Sequence, residues 1–518
     1  MSEPYSIPFE VPALSYEGAL AVLHDVLRFG ICPMLETVED MLHELGDPDS
    51  RFEAIQIAGT NGKTSTSRYT AAILMAEGYR TALYTSPELV SYTERMEVQG
   101  APVSEERFAR GIAAAKLAGE RVNARRSEAG ERPYDITEFD LLTVAACVVY
   151  AEEGVDVAVL ECGMGGRWDA TSAVKGIRSV AVTGVGLDHM HVLGDTVEAI
   201  AAEKAAIIKA GRTCVLGVGT AAPASVEDVF LDRCAEQGVV PTLLVPQVLS
   251  DAEGEMLPGE LRAHEDLPHA SFVVTDRPHR IGDPLVLDVA TTRSSYSALE
   301  ACKPGYQAAN IACAVCLAED YLGRAIDPEK LRAAVASCPT PGRFQLLRQE
   351  PPVLIDACHN PQSVETFLTA VRAVEPEASG RPLLLCAVLA DKDVRGIVEI
   401  LAREFPRVAC TRTTSHRALP AEELAALFRE AGADVVGVYP TVEEAVEAHK
   451  ARLHQDDRLV VQVELLNRSI ERLTEELGTK PNIDEIANDM KTTQETVLKI
   501  LKLTGEGISD EDFIPPKS

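Results

Sequence analysis

Short apolar runs of strand length recur along this chain, separated by longer stretches whose apolar residues fall at helical spacing. After the amphipathic segments YEGALAVLHDVL and MLETVEDMLHEL, the run AIQIAG reads as a buried strand. It enters a Gly-rich turn and then the helical stretch SRYTAAILMAEG. Further strand-like runs, TALYT, VDVAVLE, RSVAVTGVG and TCVLGV, alternate with helical ones. That alternation predicts a mostly parallel sheet with helices on both faces, an α/β domain over 1–338. Pro, Gly, Asp and short β-prone runs (SFVVT, PLVLDVA) between about 240 and 300 predict a meander or small sheet inside it. The dense turn CPTPGRF at 338–344 marks a hinge. Beyond it VLIDAC, LLLCAVL, RVACT, ADVVGV and RLVVQV alternate with helices again, predicting a smaller α/β domain over 341–463. Three helical patterns follow, LLNRSIERLTEELG, NIDEIANDM and TTQETVLKILKL, separated by turn signals at Gly478, Pro481 and Thr492. They predict a separate helical tail over 464–518.

Composition sets the class. A chain of 518 residues exceeds what one hydrophobic core serves, and 46% hydrophobic with 25% charged residues describes a globular protein. The net charge of -31 repels nucleic acid and anionic membrane over most of the surface. An anionic substrate must then be gathered by a locally positive pocket or by metal ions. The 12 cysteines are scattered rather than dense, which implies free thiols in a reducing compartment. Cys313 and Cys316, in NIACAVCLAEDYL, read as small core residues of a helix. The N-terminus MSEPYSIPFEV lacks a basic stretch leading into an apolar core, and no apolar run reaches membrane-spanning length. A cytoplasmic monomer with small-molecule partners, without membrane or nucleic-acid partners, is the expectation.

The sharpest local signal is GTNGKTS, residues Gly59, Thr60, Asn61, Gly62, Lys63, Thr64 and Ser65, placed between a strand and a helix. In that setting backbone N–H groups and a helix N-terminus cradle phosphates. The motif is two residues shorter than G-x-x-x-x-G-K-[ST]. Lys63 would reach the terminal phosphates of ATP, while Thr64 and Ser65 offer hydroxyls to phosphate or Mg²⁺. Ser86 in YTSPEL, Glu161 in VLECGMGG and His189 in GVGLDHMHVLGD also follow strands and offer metal ligands. His191 is the alternative imidazole, ranked lower because it falls on the opposite side of an extended chain. Lys204 and Lys209, in AAEKAAIIKAG, read by themselves as a solvated helical face. In the second domain Asp356 and His359, in LIDACHNPQS, stand at a strand end where α/β domains bind ligands. Arg343, Lys392 and Arg417 are cations in turn-like settings, PGRF, LADKDV and SHRALP.

Taken in order, GTNGKTS, TSPEL, ERMEVQG, LECGMGGRWDAT, GLDHMHVLGDT, EKAAIIK, PGYQAAN, PGRFQ, IDACHNP, LADKD and RALPAEEL resemble the folylpolyglutamate synthase and dihydrofolate synthase family of the Mur ligase superfamily. The resemblance covers about residues 15–463. It implies a P-loop parallel-sheet ATPase domain followed by a smaller Rossmann-like domain. It also implies a reaction in which ATP phosphorylates a pterin-bound carboxylate and the glutamate amine attacks the acyl phosphate. By motif position, Lys63 and Ser65 would hold phosphates, and Ser65, Ser86, Glu161 and His189 would serve two Mg²⁺ sites, with K⁺ as a further ion. Lys63, Lys204 and His189 would be catalytic, and Lys204 matches a lysine that the family carbamylates. Asn310, Arg343, Asp356 and His359 would contact the nucleotide, and Lys392 and Arg417 the substrate.

Several positions depart from the family pattern. Glu88 stands where the family often has His, adding negative charge near the expected metal and phosphate zone. Asp140 replaces a common Glu, Ala206 a Gly, and Tyr306 breaks a His-Gln pair. After DDRLVV the family's last strand is missing, which predicts a less stable second domain, and the tail resembles region 3 of bacterial primary sigma factors. Two other readings stay open: a Mur-type ligase acting on another carboxylate, and a non-catalytic ligase scaffold whose tail docks to the transcription machinery.

Overall fold

The computed structural model describes residues 4–26, 34–88, 91–247, 261–349, 352–390, 392–413, 418–450 and 459–462. Arg417, the side chain of His191 and the helical tail expected over 464–518 lie outside the described residues. The chain forms two compact units: Met1–His279 with Asp283–Thr340, and Arg280–Gly282 with Pro341–Ser518.

The first unit is built on an 11-stranded sheet. Its strands are β1 (Glu53–Ala58), β2 (Thr81–Tyr84), β3 (Met96–Val98), β4 (Ala101–Pro102), β5 (Val157–Glu161), β6 (Ile177–Gly184), β7 (Thr213–Gly219), β8 (Thr242–Pro246), β9 (His269–Asp276), β10 (Leu285–Ala290) and β11 (Ser295–Ala301). They lie in the order β11-β10-β9-β8-β7-β6-β1-β5-β2-β3-β4. From β9 to β2 every neighbouring pair is parallel. The helices are α1 (Tyr16–Val26), α2 (Leu35–Glu44), α3 (Lys63–Ala76), α4 (Glu105–Glu128), α5 (Glu138–Glu152), α6 (Met190–Leu193), α7 (Val197–Ala205), α8 (Ala224–Gln237), α9 (Gln307–Leu322) and α10 (Pro328–Ser337).

Strand β1 shows why the central runs are apolar throughout. Ile55 and Ile57 point into the core under α3, α9 and α10, whereas Ala54 and Ala58 point into the core under α1, α2, α4 and α5. A parallel strand covered on both faces cannot alternate apolar with polar. Gln56, wholly buried between the two alanines, is the exception.

The α/β architecture expected from the sequence is what forms, and the meander expected between 240 and 300 is the antiparallel β9-β10-β11 run. The stretch from 240 to 300 makes no small sheet of its own. Strand β8 pairs with β7 and β9 with β8, both in parallel, and the antiparallel β9-β10-β11 meander extends the main sheet. An open edge of backbone N–H and C=O groups along β7 is satisfied in this way. Cys313 and Cys316 are buried on α9 in the α3-side core, as read from the sequence. Every cysteine among the described residues is a free thiol. Among the described residues no helix is long and apolar enough to cross a membrane.

The second unit carries β12 (Gln345–Gln349), β13 (Pro352–Asp356), β14 (Leu383–Cys386), β15 (Arg407–Cys410), β16 (Asp434–Val438) and β17 (Leu459–Gln462), in the order β12-β13-β17-β14-β15-β16. Only the β12–β13 pair is antiparallel. Helices α11 (Pro361–Val374), α12 (Val394–Glu404), α13 (Ala421–Glu430) and α14 (Val442–Lys450) connect the strands. The RLVV run thus becomes a central strand, paired on both sides.

Candidate active site

The loop after β1 is shaped by glycine. Gly59 has φ +155° and Gly62 φ +86°, conformations that L side chains rarely adopt. A Cβ on Gly59 would stand 1.9 Å from Thr183 Oγ1, and one on Gly62 2.4 Å from Asn310 Oδ1. The loop is latched on its other side as well. Thr183 Oγ1 donates to Asn61 O at 2.6 Å, and Thr60 Oγ1 exchanges hydrogen bonds with the backbone N–H (2.9 Å) and C=O (3.1 Å) of Gly186. Gly62 is the N-cap of α3 and no side chain caps the first turn. The N–H groups of Lys63, Thr64 and Ser65 therefore head the helix without a capping side chain, an arrangement suited to phosphate.

Two lysine amines converge here. Lys63 Nζ donates to Gly59 O at 3.0 Å and to Thr60 O at 3.1 Å, and Lys204 Nζ donates to the same Gly59 O at 2.9 Å. Lys204 is buried, which overturns its reading as a solvated face. The reason is helical phase: Ile200, Ala201, Lys204 and Ala205 form the inward face of α7, an i, i+1, i+4, i+5 pattern already legible in AIAAEKAA. Burial, and then the neighbouring Lys63 charge, push the Lys204 amine down to about 7. Lys209 is only half-buried and donates to Ser172 O at 3.3 Å.

At the first turn of α3, Thr64 Oγ1 donates to Glu161 Oε1 at 2.9 Å, and Ser65 is buried beside it in sequence. Glu161 ends β5, Ser86 follows β2 at a cis Ser86–Pro87 bond, and His189 follows β6 with φ +49°. Since β6, β1, β5 and β2 are consecutive in the sheet, His189, the Gly59–Ser65 loop, Glu161 and Ser86 share its C-terminal edge. Among the described residues no group of three or more His, Cys, Asp and Glu is placed to hold a metal. One carboxylate with neighbouring hydroxyls fits Mg²⁺, which takes its remaining oxygens from phosphates and water.

Glu88 does not add a bare negative charge to this zone. Its carboxylate pairs with Arg95, both side chains mostly shielded from solvent, and Arg95 lies 5.2 Å over the Tyr92 ring. Asp140 starts α5 in a reciprocal capping box with Thr137.

In the second unit Asp356, Arg343 and His359 are gathered at the end of β13. Asp356 accepts from Phe344 N and Cys358 N, each at 2.8 Å, so its buried carboxylate holds the turn that carries Arg343. Burial raises its pKa, opposed by Arg343. His359 Nδ1 lies 3.0 Å from Ala357 O. Lys392 sits in the turn after β14, where Lys392 N donates to Leu389 O. Leu389 bridges to Ala418, the residue after Arg417.

Sequence reasoning passed over Gln56, Thr183 and Asp169. Thr183 braces the loop, and Asp169 accepts from Met164 N, Thr171 N and Thr171 Oγ1 to shape the turn after Glu161. A polar residue inside an apolar strand pattern was the available signal for Gln56 and Thr183.

Comparison with known proteins agrees with this geometry. Residues 57–221 match the Mur ligase middle domain and 342–462 the Mur ligase glutamate ligase domain. The dihydrofolate synthase/folylpolyglutamate synthase of Mycobacterium tuberculosis is 33% identical over 426 residues, 80% of this chain and 82% of that protein. A probable bifunctional folylpolyglutamate synthase/dihydropteroate synthase of Haloferax volcanii is 31% identical over 480 residues, 93% of this chain, which spans only 53% of that relative's length. The solved M. tuberculosis folylpolyglutamate synthase complexed with ADP superposes with a TM-score of 0.72 at 28% identity, covering 86% of this chain and 96% of its own. The chain belongs to the dihydrofolate synthase/folylpolyglutamate synthase family of Mur-type, ATP-dependent ligases.

Proposed function

We propose that this chain uses ATP to join L-glutamate to dihydropteroate, to folates, or to both, through an acyl phosphate. The observation that carries the reading is the convergence of the Lys63 and Lys204 amines on Gly59 O, at the head of a helix whose first turn also touches Glu161. In this reading the N–H groups at the start of α3 hold the phosphate chain of ATP, and Lys63 swings from the loop carbonyls to its terminal phosphates. Ser65, Ser86, Glu161 and His189 hold Mg²⁺ at two sites, with K⁺ as a supporting ion. Bound Mg²⁺ neutralises charge on the transferring phosphoryl group.

With its pKa near 7, Lys204 is neutral for a large share of molecules at neutral pH. Its amine lone pair then adds to CO₂, forming an N–C bond and releasing one proton, so that a cation becomes a carboxylate-like ligand. Asn310, Arg343, Asp356 and His359 contact the nucleotide, and Lys392 and Arg417 the acceptor or glutamate carboxylates. The protein acts as a cytoplasmic monomer, and the 464–518 tail takes no catalytic part.

The test is ATP hydrolysis coupled to mass analysis, with glutamate plus either dihydropteroate or tetrahydrofolate. A glutamyl unit added to either acceptor supports the reading, and addition to both makes the enzyme bifunctional. Lys63→Ala is expected to lower turnover by about 10³-fold or more with an unchanged melting temperature. Turnover near that of wild type in this variant would remove Lys63 from the site. No product with either acceptor, despite ATP binding, would overturn the substrate assignment.

A further inference from the structure

Gln56 is fully buried in the middle of β1, between Ala54 and Ala58 on the same strand face. Its amide Nε2 donates to Ser172 Oγ at 2.8 Å and Thr171 Oγ1 at 2.9 Å, with Cys162 Sγ at 3.3 Å. Both hydroxyl hydrogens are already committed. Thr171 Oγ1 donates to Asp169 Oδ1 at 2.5 Å and Ser172 Oγ to Gly166 O at 2.6 Å. The hydroxyls can only accept from position 56, so the amide must present its N–H₂ end to them, and the opposite orientation is excluded. The consequence is an orphan: Gln56 Oε1 is buried without a hydrogen-bond partner. Such a group destabilises a core that an apolar residue would fill, so its retention calls for a role.

The role follows from what the 163–173 loop touches. Gly166 lies so close to the end of α7 that a Cβ would meet Ile207 Cγ2 at 2.8 Å, Glu203 O at 3.0 Å and Lys204 O at 3.1 Å. Arg167 N donates to Glu203 O at 2.9 Å, and the Arg167 guanidinium reaches Glu203 Oε1 at 2.8 Å and Ala202 O at 3.3 Å. The loop therefore caps the C-terminal turn of α7. That turn carries Lys204, whose amine returns to Gly59 O, just past the end of β1 and three residues along the chain from Gln56. The contacts close a ring: Gln56, Ser172, Gly166 and Arg167, the end of α7, Lys204, Gly59.

We infer that Gln56 is a positioning residue, which fixes the Lys204 amine against the phosphate-binding loop by holding the 163–173 loop under α7. This rests on Lys204 being part of the catalytic site. Gln56→Leu keeps the volume, removes the donors and removes the orphan carbonyl.

The experiment compares wild type with Gln56→Leu in two ways. In the first, reductive methylation of the lysine amines is followed peptide by peptide by mass spectrometry. Lys204 should be labelled at least tenfold faster in the variant, with exposed Lys116 unchanged as the reference and the melting temperature not lowered. In the second, kcat should fall at least tenfold with KM for ATP within twofold. In a Lys204→Ala background the same change should cost nothing further, because a residue acting through Lys204 has nothing left to act on. Equal Lys204 labelling in the two proteins, or an equal further loss in the Lys204→Ala background, would overturn the inference. Should Gln56→Leu not fold, Ser172→Ala cuts the same ring one bond later and is read by the same two criteria. The labelling arm needs no ligase activity, so failure of the substrate assignment and failure of the Gln56 role give different results.

Discussion

Two lysines share one backbone carbonyl, and burial sets them apart. Lys63 is half-exposed at the head of α3, whereas Lys204 is 4% exposed and lies beside the first. Burial is the larger cause and the Lys63 charge the second, and together they bring Lys204 from 10.5 to about 7. Between those values the unfolded chain binds a proton that the folded protein does not, so stability rises with pH across that window and the cost is complete below about pH 7. Lys204→Met is therefore expected to stabilise the protein in bicarbonate-free buffer, by about 2–4 kcal/mol at pH 6 and by roughly half of that or less at pH 9. Denaturant titrations at the two pH values check this, and a gain independent of pH would contradict it. Glu88 shows the reverse case, where a charge read from the sequence as exposed to the site is compensated by Arg95.

At the scale of elements, the strand, loop and helix from β1 to α3 work as one piece because Gly59 and Gly62 let backbone meet Thr183 and Asn310. Gly62→Ala carries two penalties, a strained φ of +86° and a Cβ 2.4 Å from Asn310 Oδ1. Gly78 separates them: its φ is +96° but nothing lies within 4 Å of an added Cβ. Both alanine variants should lose about 1 kcal/mol from backbone strain. Only Gly62→Ala should also weaken ATP binding, by about tenfold or more, as loss of the cradle implies. Calorimetric titration with ATP tests the pair, and equal affinities in the two variants would contradict the cradle. The spacing GTNGKTS between a strand and a helix made this element legible. The brace from Thr183, 121 to 124 positions away along the chain from Gly59 and Gly62, was not, because only the β1–β6 pairing brings it there.

For the whole molecule, the formal charge of -31 is the dominant electrostatic fact. Most ion pairs on the first unit involve at least one exposed partner, each worth about 0–1 kcal/mol, so screening them loses little. Screening the net repulsion should gain more, since the Debye length falls from about 10 Å at 0.1 M salt to about 3 Å at 1 M. The melting temperature is expected to rise by a few degrees over that range, about 1–2 kcal/mol, and a fall on scanning calorimetry would show that specific pairs outweigh net repulsion. The α/β alternation, the Gly-rich turn between β1 and α3 and the strand-end positions of Ser86, Glu161, His189, Asp356 and His359 could be read from the sequence alone. Strand length, helical period and glycine placement are local, so a linear reading captures them. What only the tertiary structure decided was non-local: that the 240–300 strands join the main sheet, that the buried Lys204 amine meets Gly59 O, and that Gln56 closes a ring through α7. Each depends on pairing between segments far apart in the chain, where burial and the exhaustion of hydrogen-bond donors fix which partner a polar group can have.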